Sequence, residues 1–133
     1  MTEFTMTRTL DLPYEQAVAA VREALAGVGF GVLTEIDIAA TLKKKLDVDV
    51  APKIILGACR PQLAYQALRA DPRVATLLPC NVVVSADGTG SLVEIMDPEV
   101  MPAFTGTAEL DAVATEARTL LASMLEQLSG VTA

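Results

Sequence analysis

The chain has 133 residues, enough for one domain that hides roughly two thirds of its extended surface, so no disulfide or structural metal is needed to hold it. Seventeen acidic residues against ten basic ones give a net charge of -7, which repels phosphate backbones and anionic membranes and argues against nucleic acid as a partner. No histidine occurs, which removes the commonest general base and zinc ligand, and with it the usual nucleophile–base–orienter set of a hydrolase.

Residues 4–10 alternate, with Phe4, Met6, Arg8 and Leu10 set against Thr5, Thr7 and Thr9, and predict a half-exposed strand. Asp11 is a candidate helix cap and Pro13 suits a first turn. From Tyr14 to Val28 the apolar positions Tyr14, Ala17, Val18, Val21, Leu25 and Val28 recur at spacings of three and four, an amphipathic helix ending near Gly27 or Gly29. Phe30 to Ile36 returns to period two, and Asp37 can cap a short helix from Ile38 to Leu46 that carries Lys43, Lys44 and Lys45. That lysine run is the only basic one, and it reads as a solvated helix face. Asp47 to Pro52 reads as a loop.

Lys53 to Ala58, with Ile54, Ile55 and Leu56 in succession, predicts a central strand covered on both sides. A helix from Pro61 to Ala70 follows at once, proline standing where a missing N–H costs nothing. Asn81 to Ser85 and Ser91 to Met96 flank Asp87-Gly88-Thr89-Gly90, the clearest turn in the chain, and predict an antiparallel hairpin. Met101-Pro102 falls in an expected loop, and a last helix is expected from about Ala108 to Leu128, with Ser129 to Ala133 as a frayed tail. The order of elements implies one α+β domain over residues 1–133, a single mostly antiparallel sheet with helices mainly on one face. The apolar fraction is 52% and mean hydropathy +0.43, yet no apolar run approaches a membrane span; alanine content accounts for part of the excess, some of it is assigned to a subunit interface, and a homodimer is expected. With no leader pattern at the N-terminus and only two cysteines, the expected compartment is the cytoplasm, with free thiols.

Those two cysteines, Cys59 and Cys80, are the sharpest candidate pair. Each precedes a change of element, so adjacent strand ends can bring them together. At the N-terminus of the Pro61 helix, beside Arg60, the Cys59 thiolate would be stabilised. The plain alternative is that both are small core residues. Met96 and Met101 extend the pair to a soft Cys/Met metal site. Glu35 and Asp37, two residues apart on one strand face, and Asp97 at another strand end are candidate acid/base or hard-cation carboxylates, against a reading of Asp37 as a helix cap and Glu35 as solvated or paired with a lysine. Asn81 can orient a ligand or satisfy backbone at the strand entrance. Gly57-Ala58-Cys59-Arg60-Pro61 is neither a phosphate-binding nor a dinucleotide loop, although an anionic group could meet the helix N-terminus there.

Several stretches carry a family likeness: Gly29-Phe30-Gly31-Val32-Leu33-Thr34-Glu35-Ile36-Asp37, Ala40-Thr41-Leu42-Lys43, Ile55-Leu56-Gly57-Ala58-Cys59-Arg60-Pro61, Leu78-Pro79-Cys80-Asn81-Val82-Val83-Val84, and Asp97-Pro98 with Met101. In order and spacing they resemble the domain of unknown function 302 (DUF302) family of small uncharacterised bacterial and archaeal proteins. The resemblance covers nearly the whole chain. It implies a compact α+β domain of the TATA-binding-protein-like grouping and a homodimer, and it brings no activity or cofactor; the chain's negative charge argues against carrying DNA binding across. Arg60 stands where the family has asparagine before the proline, and Tyr65 where a histidine is common in the next helix.

Two functional readings follow. One is a homodimeric binding or accessory protein that holds a small ligand or a protein partner near the Cys59–Pro61 and Cys80–Asn81 junctions, without catalysis. The other is a thiol-dependent redox or soft-metal-handling protein, with Cys59 as nucleophile or ligand, Cys80 its partner and Arg60 the electrostatic aid.

Overall fold

A computed structural model describes residues 3–131 and shows five strands and five helices. In chain order these are β1 (Thr5–Leu10), α1 (Tyr14–Gly27), β2 (Gly31–Asp37), α2 (Ile38–Leu46), β3 (Lys53–Cys59), α3 (Pro61–Ala70), β4 (Cys80–Asp87), β5 (Gly90–Met96), α4 (Val100–Thr105) and α5 (Asp111–Ser129), with short 3-10 turns at Pro72–Leu77 and Ala108–Leu110. The strands form one sheet in the order β1-β5-β4-β3-β2, and every neighbouring pair is antiparallel. An α+β fold with a single antiparallel sheet is therefore borne out. The ends of the predicted tail, residues 132–133, lie outside the described residues, as do residues 1–2.

The sheet register separates its two faces. Leu56 lies opposite Val82, Val82 opposite Ile95, and Val84 opposite Val93, all on one face and all fully buried. Against them pack Ala17, Val21 and Leu25 of α1 and Ala117, Leu121, Met124 and Leu125 of α5, which form one continuous core. Burying each of the larger side chains contributes about 2–3 kcal/mol. On the other face Ile55 lies opposite Ile36 and Val83, and Val83 opposite Glu94; these residues are half-buried or exposed. Strand β3 is consequently not covered on both sides as its unbroken apolar run predicts. Leu56 is buried, whereas Ile54 and Ile55 are only partly so. An apolar run records hydrophobicity, not which face finds a neighbour within the same chain.

Three further expectations are corrected. Asp11 does not cap α1; Pro13 occupies the N-cap position, with no side-chain cap. Met101-Pro102 lies inside α4 rather than in a loop, because a proline in the first turn forfeits no intrahelical bond. Glu35 pairs with Arg22 of α1, not with a lysine. Asp37 does cap α2, accepting the Ala40 backbone N–H at 2.9 Å. Lys43 of the basic run is engaged by Asp47 at 3.0 Å and Asp49 at 3.3 Å.

Two buried acids tie the helical layer together. Asp71, just past α3, accepts from the Arg73 backbone N–H, Nε and Nη2 (3.0, 3.0 and 2.7 Å) and from the Thr107 hydroxyl at 2.7 Å. This links the end of α3 to the segment between α4 and α5. Asp97, after β5, accepts the Glu99 N–H at 3.0 Å and Arg118 Nε of α5 at 3.1 Å, fixing the entry to α4. Met101 of α4, in the segment between these two acids' partners, is 2% exposed.

Candidate functional site

The site is built where β3 ends and α3 begins. The register places Ala58 opposite Cys80, so the Cys80 side chain is on the core face of the sheet. Cys59, one residue further on, is the last residue of β3 and is half-buried. Pro61 then starts α3, whose Leu63 and Ala67 are buried towards the sheet. Between them lies a cavity of about 20 Å³, lined by Ala58, Cys59, Arg60 and Cys80 together with Phe30, Leu78, Met101, three residues of α3 (Leu63, Ala64, Ala67) and two of α5 (Val113, Ala117). Cys80 and Met101 form its deep part, and Cys59 and Arg60 its less buried rim. A volume of that order admits roughly one water-sized group.

Two strands thus bring Cys59 and Cys80 to one pocket as free thiols. Their electrostatics depart from the expectation of a stabilised thiolate. Burial pushes the Cys59 thiol up, and burial reinforced by charge on Cys59 pushes Cys80 up to about 11. The physical reason is the apolar lining, which offers a thiolate little solvation. Arg60 does not offset this, because its guanidinium turns away to α1. Its Nη1 donates to the Val28 carbonyl at 3.1 Å, at the C-terminal end of α1 where a cation is favoured. It lies so closely over Gly29, at φ +82°, that a Cβ there would overlap Nη1. The Arg60 Nε is buried without a hydrogen-bond partner among the described residues. Arg60 is the N-cap of α3 but makes no side-chain cap.

The other sequence candidates are distributed elsewhere. Met101 lines the cavity, but Met96 lies in a separate exposed groove beside Phe4, Leu77 and Phe104. Pro61 positions α3 without lining the pocket, and Asn81, next along β4 from Cys80, is exposed on the opposite face of the sheet. Glu35 and Asp37 sit on β2 and Asp97 follows β5, with two strands between them, so the three carboxylates do not converge. Among the described residues no three carboxylate, thiol or imidazole groups gather in metal-binding geometry. Tyr65 is exposed on α3, with the Arg69 guanidinium 5.6 Å from its ring centroid, and faces away from the cavity. Lining residues missed by sequence reasoning are the apolar ones, above all Phe30 and the small pair Ala64 and Ala67. The three-residue spacing of that pair on a helix following a cysteine-ended strand is the one signal that could have found them.

No helix among the described residues is long and apolar enough to cross a membrane. No curated protein matches the chain significantly. A crystal structure of an uncharacterised conserved DUF302 protein from Bacillus stearothermophilus superimposes with a TM-score of 0.88 at 25% identity, covering 96% of this chain and 99% of that one. The model of the domain of unknown function DUF302 matches residues 6–128. The chain therefore belongs to the DUF302 family.

Proposed function

We propose that this protein is a homodimeric, non-catalytic binding or accessory module whose ligand site is the pocket between Cys59, Arg60, Cys80 and α3. The observation that carries this reading is the cavity itself, lined by two cysteines from separate strands and otherwise apolar except for Arg60. At about 20 Å³ it selects a ligand that inserts a small apolar group, methyl-sized, past the Cys59–Arg60 rim. Raised thiols and the absence of histidine favour binding over covalent catalysis. The two free thiols suit a reducing compartment and the cytoplasmic reading. A sheet with one face left bare suits the TATA-binding-protein-like grouping, while the net charge of -7 disfavours nucleic acid as what covers it.

The test is a fragment screen followed by amide chemical shifts. Small methyl-bearing compounds should shift Phe30, Cys59, Leu63 and Cys80. Ala64→Leu, which narrows the mouth from a half-buried position, should abolish those shifts while leaving the fold intact. Shifts confined to other surfaces would refute the assignment.

A second reading has its own observation. Cys59, Cys80 and Met101 are three sulfur-bearing residues of one lining, and thiolate with thioether is the donor set that selects a soft cation such as copper(I). Binding would displace the thiol protons to solvent, so high thiol pKa values weaken but do not prevent it. Anaerobic titration with copper(I) should give one ion per chain, lost in Cys59→Ser and in Cys80→Ser. A wild-type chain that retains none would end this reading and leave the first intact.

A further inference from the structure

We infer that the surface from Gly31 to Ile55, with the bare sheet face beside it, is where a second copy of this chain sits. This specifies the homodimer reading above and rests on it. The starting point is burial: none of the 25 residues from Gly31 to Ile55 is buried, although they form all of β2, all of α2 and the start of β3. Helix α2 has nine residues and not one buried side chain. A helix that short is marginal in water without packing. Its apolar residues nevertheless follow a helical stripe, Ile38, Leu42 and Leu46, and Leu46 is 66% exposed. Leu33 is 67% exposed at a bulge in β2, and Val48 and Val50 are exposed in the loop that follows α2. Leu33, Ile36, Leu46, Val48 and Val50 are thus five large apolar side chains left exposed within one stretch of chain, the kind of surface that marks an interaction site.

Two features point to a copy of the same chain. A two-fold contact requires one surface to both offer and receive. Here α2 offers an apolar stripe that is half-buried at Ile38 and Leu42 and exposed at Leu46, and Ile36, Ile55 and Val83, adjacent in register, form an apolar strip able to receive it. The charges are complementary in the same sense. Lys44 and Lys45 on α2 make no ion pair among the described residues, and neither does Glu94, which lies directly opposite Val83 on the bare face. Two chains of net charge -7 repel, so lysines of one copy set against Glu94 of the other supply the attraction a self-contact needs.

Sedimentation velocity on the full chain at micromolar concentration tests this. The wild type should be a dimer. Leu42→Asp should weaken association by at least roughly 30-fold, the effect expected of a central interface residue. Glu94→Lys should also weaken it, and combining Glu94→Lys with Lys44→Glu and Lys45→Glu should restore it. Circular dichroism checks the fold of each variant. Should Leu42→Asp fail to fold, the charge reversal and its rescue, which change only half-buried and exposed positions, decide the matter. A dimer indifferent to every variant would overturn this surface and preserve the homodimer. A monomer at all concentrations would overturn both, and would hand the surface to a different protein partner.

Discussion

Replacing Gly29 by alanine probes the rim of the pocket most sharply, because it joins backbone strain to one identified side chain. Gly29 has φ +82°, where a Cβ costs roughly 1–2 kcal/mol. The new methyl would also overlap Nη1 of Arg60, forcing the guanidinium off the Val28 carbonyl. Losing that half-exposed hydrogen bond adds about 1 kcal/mol. Gly29→Ala alone should therefore cost roughly 2–3 kcal/mol, and Arg60→Ala alone about 1 kcal/mol. In the double variant the overlap has no partner, so the pair should show a coupling of about 1 kcal/mol, the two costs failing to add. Urea denaturation of the four proteins at neutral pH supplies every corner of the cycle. Strict additivity would refute the placement of Arg60 over Gly29, and with it the account of why Arg60 leaves the Cys59 thiol unassisted.

Further outcomes follow from the same physics. Alkylation of Cys80 in the folded protein should rise about tenfold per pH unit up to about pH 11, with Cys59 reacting faster throughout because it is less buried; a pH-independent rate for Cys80 would contradict its burial. Because burial raises the folded Cys80 thiol above its ordinary value to about 11, its contribution to stability is complete below the ordinary thiol range and is lost as pH climbs towards 11, by at most roughly 3 kcal/mol. That loss should disappear in Cys80→Ala, measured by urea denaturation across the range. Cys80→Ser, which places a hydroxyl in an apolar lining, should cost about 1–3 kcal/mol, more than Cys80→Ala does. The Asp71 carboxyl is held well below the usual range by its hydrogen bonds from Arg73 and Thr107. Its contribution is present above the unfolded value and is lost as pH falls through the folded one, so Asp71→Asn should be less stable than wild type at pH 7 and converge with it in acid.

The sequence pattern disclosed local structure well where one residue decides a boundary. Helix α2 begins and ends where Asp37 and the loop at Asp47 predicted, because the cap is a bond between residues three apart. The β4–β5 hairpin followed from its glycine-containing turn in the same way. Helix α4 was hidden because its proline resembles a loop signal and acts as one only beyond the first turn. The site was legible in part. The strand-end positions of Cys59 and Cys80 allowed a shared site without deciding it, and both line one cavity, whereas the engagement of Arg60 by Val28, 32 residues away, has no local signature. Asn81 was grouped with Cys80 although pleat alternation sends consecutive side chains to opposite faces. Met96 and Met101 are close in sequence but β5 and α4 carry them into different grooves.

The most direct test of the central claim is native mass spectrometry of freshly purified, anaerobically handled protein, with Ala64→Leu alongside. The account predicts a dimer carrying a small bound mass that is absent from the Ala64→Leu dimer. A monomer at the bare polypeptide mass, or a bound mass indifferent to Ala64→Leu, would contradict it.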